Sequence, residues 1–270
     1  MVRRLLACAA LAVVAACAST RGDPDQTLRV MTWNIAAGHG DLAKIAQVIS
    51  ESKADIVALQ EVDVHWSDRS AFVDQADSLA KSLHMQVRFA PIYSVRDSAT
   101  ASTPKEFGVA LLSRYPIVDW KNHTITRLST QQQNATPSPA PGFLEATIDV
   151  RGRKVRAFST HLDYRQNPAV REQQVTETLK TLRSSSGPTI LFGDLNAPPT
   201  APELSPLLHV LQDAWSASNE PGLSYPAENP VKRIDYVLIS TDFVSVSATV
   251  PATQASDHRP VIADLRFKKR

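Results

Sequence analysis

Several apolar runs in the chain end in polar side chains that could carry out chemistry. These side chains are carboxylates, amides and imidazoles, and they belong to Asn34, Glu61, His161, Asp194, Asn196, Asp257 and His258. Asp235 has the same chemistry but stands inside the apolar stretch "RIDYV", where a central strand favours an apolar residue. One set of functional groups therefore recurs at the ends of apolar runs.

This set of side chains suits a hard, oxygen-binding cation such as Mg²⁺ or Mn²⁺. A structural zinc site is not expected, because the set contains no cysteine. Mg²⁺ is usually held by one or two carboxylates together with waters and substrate phosphate. Histidines beside such an ion can stabilise a phosphoryl centre or transfer protons.

Each residue taken alone has a simpler explanation. An Asn or Asp at a strand end commonly serves a turn, and a single His is more often a satisfied polar residue than a ligand. Asp235 stands close in sequence to Lys232 and Arg233, and either could neutralise it. The order of the motifs along the chain is what favours a shared function.

Seven short motifs follow one another from about Leu28 to Phe267: "MTWNI", "LQEVD", "FGVALLSRYPI", "STHLD", "GDLNA", "RIDYVLIS" and "SDHRPV". Together they resemble the endonuclease/exonuclease/phosphatase superfamily. That superfamily includes deoxyribonuclease I, abasic-site nucleases, neutral sphingomyelinases, inositol polyphosphate 5-phosphatases and deadenylases. The resemblance implies an α/β fold, a four-layer α-β-β-α sandwich of two mixed β-sheets, with the active site at one edge of the sheets.

The resemblance also implies a divalent-metal site, occupied by Mg²⁺ or Mn²⁺. The Glu of the "QE" motif binds the cation in the superfamily, and Glu61 matches it. Asn34 matches the Asn that helps to hold metal or phosphate. Asp257, just before the "SDH" histidine, matches an Asp that can join the metal site.

The catalytic roles follow in the same way. Asp194 matches the Asp that orients or deprotonates the attacking water, and Asn196 matches the Asn that contacts the scissile phosphate. His258 matches the His that stabilises the transition state, and Asp235 matches the Asp that orients that His. His161 in "STHLD" matches a His that binds phosphate or protonates the leaving oxygen, which is typical of the deoxyribonuclease, sphingomyelinase and phosphatase branches rather than of abasic-site nucleases.

Four further residues could reach substrate phosphates. They are Arg69, Tyr93, Arg165 and Arg171, and we predict Tyr93 and Arg69, with Asn34 and Asn196, as substrate-binding residues. The alternative for the arginines is an ordinary surface salt bridge.

The periodicity of the chain predicts the elements that position these residues. Strands are predicted at "TLRVMTW", "DIVALQ", "FGVALLS", "FLEATIDV", "KVRAFST", "TILF", "RIDYVLIS", "VSVSATV" and "PVIADLRF". Amphipathic helices are predicted after Asp41, over 73–83, over 169–182 and near 202–211. The Gln-, Pro- and Ala-rich stretch 129–142 predicts an exposed loop.

The first residues have the features of a secretory leader. Arg3 and Arg4 precede an unbroken run of small and apolar residues that ends at Cys17. "VAAC" resembles a bacterial lipobox, which predicts a lipid-modified Cys17, whereas plain cleavage after a small residue is the alternative. We therefore predict a signal peptide over 1–17, a flexible tether over 18–26 and a single catalytic domain over 27–270. The expected location is the cell envelope, through a lipid anchor without a transmembrane span, or otherwise the secreted fraction.

The charge balance bears on the substrate. Loss of Arg3 and Arg4 with the leader leaves 27 basic and 27 acidic residues. Duplex-binding proteins usually carry a basic excess or a basic stripe, so a phosphorylated small-molecule or lipid substrate is favoured over nucleic acid. Two other hypotheses stay open: a tethered or secreted DNA or RNA endonuclease, and an inactive binding module. The inactive module is disfavoured because all eight matched positions are intact.

Overall fold

The structure is a computed structural model that describes residues 27–96, 98 and 103–269. The predicted leader over 1–17 and tether over 18–26 lie outside the described residues and stay predictions. Within the described part, no helix has the length and apolar character needed to cross a bilayer.

The described residues form twelve strands and four α-helices. The strands are β1 (Leu28–Asn34), β2 (Ile56–Val64), β3 (Gln86–Val95), β4 (Lys105–Ser113), β5 (Ile117–Arg127), β6 (Ser138–Val150), β7 (Arg153–His161), β8 (Thr189–Asp194), β9 (Gln212–Asp213), β10 (Asp235–Ile239), β11 (Phe243–Thr249) and β12 (Val261–Phe267). The helices are α1 (Leu42–Ser52), α2 (Gln75–Leu83), α3 (Ala169–Leu182) and α4 (Ser205–Val210).

Two six-stranded mixed sheets organise these elements. The first sheet has the order β11-β12-β1-β2-β4-β3, and the second has the order β5-β6-β7-β8-β10-β9. The pairs β1–β2 and β7–β8 are parallel, and the other pairs are antiparallel. Parallel neighbours end at the same sheet edge, so each sheet contributes two strand ends to one edge.

Three apolar cores separate four layers. The largest joins the facing sides of the two sheets and includes Ile56, Leu144 and Phe192. A second core packs α1 and α2 against the first sheet, and a third packs α3 and α4 against the second sheet. The α-β-β-α sandwich implied by the sequence resemblance is therefore confirmed.

Helix α1 shows how local sequence supports this arrangement. The Asp41 carboxylate accepts hydrogen bonds from the backbone N–H groups of Ala43 and Lys44, so it caps the helix as expected. Ile45 and Ile49, four residues apart on one face, are completely buried. The predicted helix over 169–182 has the same limits in the structure.

The sequence does not predict β3 and β5, and both are edge strands. In an edge strand, buried and exposed side chains follow one another irregularly, which weakens the alternation of apolar and polar residues that identifies a strand in the sequence. The predicted loop over 129–142 is also wrong at its end, because β6 already begins at Ser138, which pairs with Arg127 of β5. Pro139 and Pro141 hide the strand signal there, since proline is normally confined to strand edges.

Candidate active site

Three predicted site residues stand side by side across the second sheet. His161 ends β7 and lies opposite Asp194 at the end of β8, and Asp194 lies opposite Asp235 at the start of β10. Neighbouring residues in register point to the same face of a sheet. Strand register therefore brings an imidazole and two carboxylates together from positions far apart in the sequence.

The first sheet contributes Asn34 and Glu61 to the same edge. The register of β2 against β4 shifts between Leu59 and Val62, and Glu61 in this irregularity has a left-handed backbone with φ of 56°. Bulges of this kind redirect a side chain near active sites. Asn34 Nδ2 lies 3.1 Å from Glu61 Oε1 and 3.2 Å from Asp194 Oδ2, so one amide donates to carboxylates from both sheets.

Asp194 is the centre of this arrangement. Its Oδ2 lies 3.6 Å from His161 Nε2 and 3.7 Å from His258 Nε2, and its other oxygen accepts from the backbone N–H of Asn196 at 2.9 Å. Burial and the nearby Asp235 carboxylate raise the pKa of Asp194 to about 6, against the opposing influence of the two imidazoles. A carboxylate in this range can accept a proton at neutral pH.

His258 is held as a cation. Its Nδ1 lies 2.9 Å from Asp235 Oδ2, and the same oxygen accepts from Ser224 Oγ at 2.5 Å. Burial alone lowers the pKa of His258, but the Asp235 and Asp194 carboxylates outweigh it and raise the value to about 10. The His258 backbone carbonyl accepts from Trp33 Nε1 at 2.8 Å. Asp235 therefore pairs with His258, and the alternative of a pair with Lys232 or Arg233 is wrong.

His161 differs from His258 in charge. Burial lowers the pKa of His161, and the positive charges of Arg127 and His258 lower it further, although Asp194 opposes them. Arg127 donates from Nη1 to the His161 backbone carbonyl at 3.0 Å. The two imidazoles that face Asp194 thus have opposite protonation at neutral pH, one neutral and one cationic.

Asn196 and Asp257 complete the predicted set. Asn196 has a left-handed backbone with φ of 52°, and its side-chain amide donates to the Leu162 carbonyl at 3.0 Å. Asp257 is exposed, and its carboxylate raises the pKa of Glu61, although burial of Glu61 contributes more. The fold therefore brings the predicted metal and catalytic residues to one edge.

The predicted substrate-binding residue Arg69, and the two other arginines that could reach substrate phosphates, are already paired. Arg69 donates to both oxygens of the fully buried Asp63 at 2.8 and 2.7 Å. Arg171 pairs with Glu203 at 2.8 Å, and Arg165 pairs with Asp163. All three arginines thus form salt bridges, but each partner carboxylate is buried, so these are not the surface pairs of the alternative. Tyr93, Arg69 and Arg165 still line a cavity beside the site.

Sequence reasoning missed two features of the site. Arg127 is buried at the end of β5, and Ser224 lies in a loop before β10. Neither belongs to a quoted motif, and β5 itself is not predicted. Only the tertiary contacts of Arg127 with His161 and of Ser224 with Asp235 identify them.

The donor atoms fit a divalent cation. Ligand atoms of Asp194, Asp235 and His258 lie within 4.8 Å of one another, and Asp235 Oδ1 is buried without a hydrogen-bond partner among the described residues. A protonated His258 cannot ligate a metal through nitrogen, so the carboxylates are the better ligands. Glu61 and Asp194, which share the Asn34 amide, supply oxygen atoms of the type that Mg²⁺ and Mn²⁺ prefer.

Comparisons with known proteins identify the family of the chain. The model of the Endonuclease/Exonuclease/phosphatase family matches residues 31–258, whereas no curated protein matches the sequence. An endonuclease/exonuclease/phosphatase from Beutenbergia cavernae is 25% identical over 89% of this chain and 72% of its own, with a TM-score of 0.71.

Two further solved structures extend the comparison. The human Nocturnin catalytic domain, solved with bound sulfate, is 25% identical over 90% of this chain and 95% of its own, with a TM-score of 0.67. A mannosyl-6-phosphatase from Bacteroides thetaiotaomicron shares the fold at 17% identity, over 89% of this chain and 100% of its own, with a TM-score of 0.64. The chain therefore belongs to the endonuclease/exonuclease/phosphatase family, a superfamily of metal-dependent phosphoesterases and nucleases, and has its deoxyribonuclease I-like α/β sandwich.

Proposed function

We propose that the protein is a Mg²⁺- or Mn²⁺-dependent hydrolase of a phosphomonoester or phosphodiester with a small organic group. The observation that carries the proposal is the placement of Asp194 between a neutral His161 at 3.6 Å and a cationic His258 at 3.7 Å. A proton acceptor beside two donors is what attack of water on a phosphoryl group requires.

Each side chain has a role in this chemistry. Asp194 accepts the proton of the attacking water, and the Nε2–H of His258 donates to the phosphoryl oxygens as negative charge develops on them. Asp235 keeps His258 oriented and protonated. A divalent ion held by Glu61 and neighbouring carboxylates would neutralise phosphoryl charge. The lowered pKa of His161 favours phosphate binding over protonation of the leaving oxygen, the two roles implied for it.

The substrate class rests on shape and charge. A cavity of about 430 Å³ opens beside Glu61 and His161, and pockets of this size hold small organic molecules. A continuous basic groove would support the nuclease alternative, but two of the cavity arginines are neutralised by Asp63 and Asp163.

The topology bears on where the proposed lipid anchor joins the domain. Strand β1 runs from Leu28 to the site residue Asn34, so the N-terminal end of the domain and the site lie at opposite ends of that strand, roughly 20 Å apart. We propose that Cys17 carries a lipid anchor outside the cytoplasm, and such an anchor would attach at the end away from the site. Cys17→Ser should move the protein from the membrane fraction to the soluble fraction. Continued membrane association would reject the anchor.

An activity panel tests the catalytic proposal. Purified protein is incubated with bis(p-nitrophenyl) phosphate, p-nitrophenyl phosphate, inositol phosphates, sphingomyelin vesicles, plasmid DNA and RNA, in Mg²⁺, in Mn²⁺ and in EDTA. We expect metal-dependent hydrolysis of the small esters, and no hydrolysis by Asp194→Asn purified in parallel. A clear preference for DNA or RNA would support the nuclease alternative instead, and hydrolysis that persists in EDTA would reject the metal-dependent mechanism.

A further inference from the structure

The cavity beside the active site has walls that neither the catalytic chemistry nor the metal site requires. It opens beside Glu61 and His161, and its volume is about 430 Å³. It is lined by three aromatic rings on one side and by arginine side chains. These features bear on which organic group accompanies the phosphate.

The three rings form an aromatic cluster of Trp66, Tyr93 and Phe107. Their centroids lie 6.0 to 6.4 Å apart, and the rings of Tyr93 and Phe107 are stacked with 22° between their planes. The Tyr93 hydroxyl accepts from the Thr130 backbone N–H at 2.9 Å, which fixes that ring. All three rings are only half-buried, and they line the cavity together with the Arg69 guanidinium, which lies 5.7 Å from the Trp66 ring centroid and 5.8 Å from the Phe107 ring centroid.

Arg127 differs from the other two arginines of the cavity because it has no ion-pair partner among the described residues. Arg69 and Arg165 are each neutralised by a carboxylate, from Asp63 and Asp163. Arg127 is 8% exposed and donates only to backbone carbonyls, those of Pro141 at 2.8 Å, His161 at 3.0 Å and Gly142 at 2.8 Å. Among the described residues, no carboxylate lies within ion-pair distance of Arg127.

Arg127 nevertheless stays charged. Burial lowers its pKa to about 10, which leaves it cationic at neutral pH. Three of its five N–H groups serve the carbonyls, so one N–H on each terminal nitrogen is left for another acceptor. The Asp163 carboxylate raises the pKa of Arg127 through space, but it is the ion-pair partner of Arg165 and makes no ion pair with Arg127. An anionic ligand in the cavity would place a counter-charge in direct contact with this buried cation.

On the basis of the proposed function, we infer that this cavity binds the organic group of the substrate, and that this group presents a flat ring to the aromatic cluster and a second anionic group to Arg127. The substrate class is thus a ring-bearing phosphoester that carries another acidic group besides the scissile phosphate. A purely structural role of Arg127, which would only tie three backbone segments together, is the competing explanation.

Binding of three uncleavable ligands tests this inference separately from turnover. The ligands are phosphonate isosteres of the ethyl, phenyl and 3-carboxyphenyl phosphate esters, in which CH₂ replaces the bridging ester oxygen, and each is named after the ester that it mimics. Their Kd values are measured by calorimetry with Mn²⁺ present. We expect the phenyl ester to bind about tenfold tighter than the ethyl ester, and the carboxyphenyl ester about tenfold tighter again. Equal Kd values for the phenyl and carboxyphenyl esters in the wild-type protein would overturn the anionic part, whether or not any ester is hydrolysed in the activity panel.

Variants separate the two parts of the inference. Arg127→Met should bind the carboxyphenyl and phenyl ligands equally tightly, but should still bind the phenyl ligand more tightly than the ethyl ligand. Arg127→Lys keeps the positive charge and should therefore retain part of the preference for the carboxyphenyl ligand over the phenyl ligand. Trp66→Leu should reduce only the phenyl advantage. Arg153→Met is the matched control, because Arg153 begins β7 at the end away from His161, and its Kd values should equal those of the wild type. A carboxyphenyl advantage that survives in Arg127→Met would show that Arg127 has only a structural role.

Discussion

Carboxylates of the second sheet meet imidazoles in two groups, and these groups differ in how their charges are balanced. In the paired cluster (His123, Glu145 and Arg156), each oxygen of Glu145 faces one partner, His123 Nε2 at 2.6 Å and Arg156 Nε at 2.7 Å. In the site cluster (Asp194, Asp235 and His258), two buried carboxylates share one cationic imidazole and pair with no arginine, and the second imidazole that faces Asp194, that of His161, is neutral.

The pKa shifts of the carboxylates follow this balance. Burial raises the pKa of Glu145, but its hydrogen bonds to His123 and Arg156 outweigh burial and lower the pKa overall. Burial and Asp235 raise the pKa of Asp194 to about 6. The same residue types thus stabilise the fold where each charge has its own partner, and hold a reactive carboxylate where the partners are too few.

Removal of the Asp194 charge should have the largest effect on activity. Asp194→Asn keeps the shape but removes the proton acceptor, so turnover of the preferred ester should fall by about 10³-fold or more. Initial rates with Mg²⁺ and Mn²⁺ measure this loss. Glu145→Gln is the control from the paired cluster and should keep near wild-type turnover. Comparable losses in both variants would contradict the distinction between the clusters.

Removal of the Asp235 charge should have the second largest effect on activity. Asp235→Asn leaves the imidazole without the carboxylate that keeps it cationic, so kcat should fall by about 10²-fold. Ser224→Ala removes only the hydroxyl that donates to the same oxygen, and its loss should be several-fold at most. If Asp235→Asn retained wild-type kcat, the assigned role of the Asp235–His258 pair would be wrong.

Removal of the Glu61 charge, on the first sheet, should weaken the dependence of the rate on Mg²⁺ and should have a smaller effect than the two changes above. Glu61→Gln removes a charged oxygen ligand but keeps the hydrogen-bonding shape, so the Mg²⁺ concentration for half-maximal rate should rise about tenfold or more. Titration of the rate with Mg²⁺ measures it. An unchanged midpoint would exclude Glu61 as a ligand.

The two clusters should also respond oppositely to pH in metal-free protein. The raised pKa of Asp194 means that its favourable contribution to stability is present near pH 4 and is lost as pH rises through about 6. Asp194→Asn should therefore be more stable than the wild type at pH 7, by on the order of 1–2 kcal/mol, and the difference should vanish near pH 4.

The pKa of Glu145 is lowered, so its contribution to stability depends on pH in the opposite direction. Its contribution is present above the ordinary value of 4.5 and is lost as pH falls. Glu145→Gln should be less stable at pH 7 by about 1–3 kcal/mol, with a smaller deficit in acid. Urea unfolding in EDTA at several pH values measures both variants, and parallel pH profiles would refute the contrast.

The family resemblance that the ordered motifs carry predicted the α-β-β-α architecture, which is confirmed, and it named residues that the fold brings to one edge. Strand ends such as Asn34, His161 and Asp194 could be recognised because short apolar runs end there in polar residues. The edge strands β3 and β5 could not, since their mixed exposure blurs the period-two pattern. Arg127 was missed with β5, and the partners of the predicted arginines were also invisible, because Asp63 and Glu203 carry no mark of pairing in the sequence.

The sequence by itself determined which groups are present: carboxylates and imidazoles at strand ends, no cysteine beyond Cys8 and Cys17, and no basic excess. Only the tertiary structure decided their charge states. Asp194 and Glu145 are both acidic residues within the same sheet, but their pKa values shift in opposite directions. The physical reason is that burial penalises a carboxylate strongly, and whether a cation compensates it depends on strand register and on side chains that are distant in the chain.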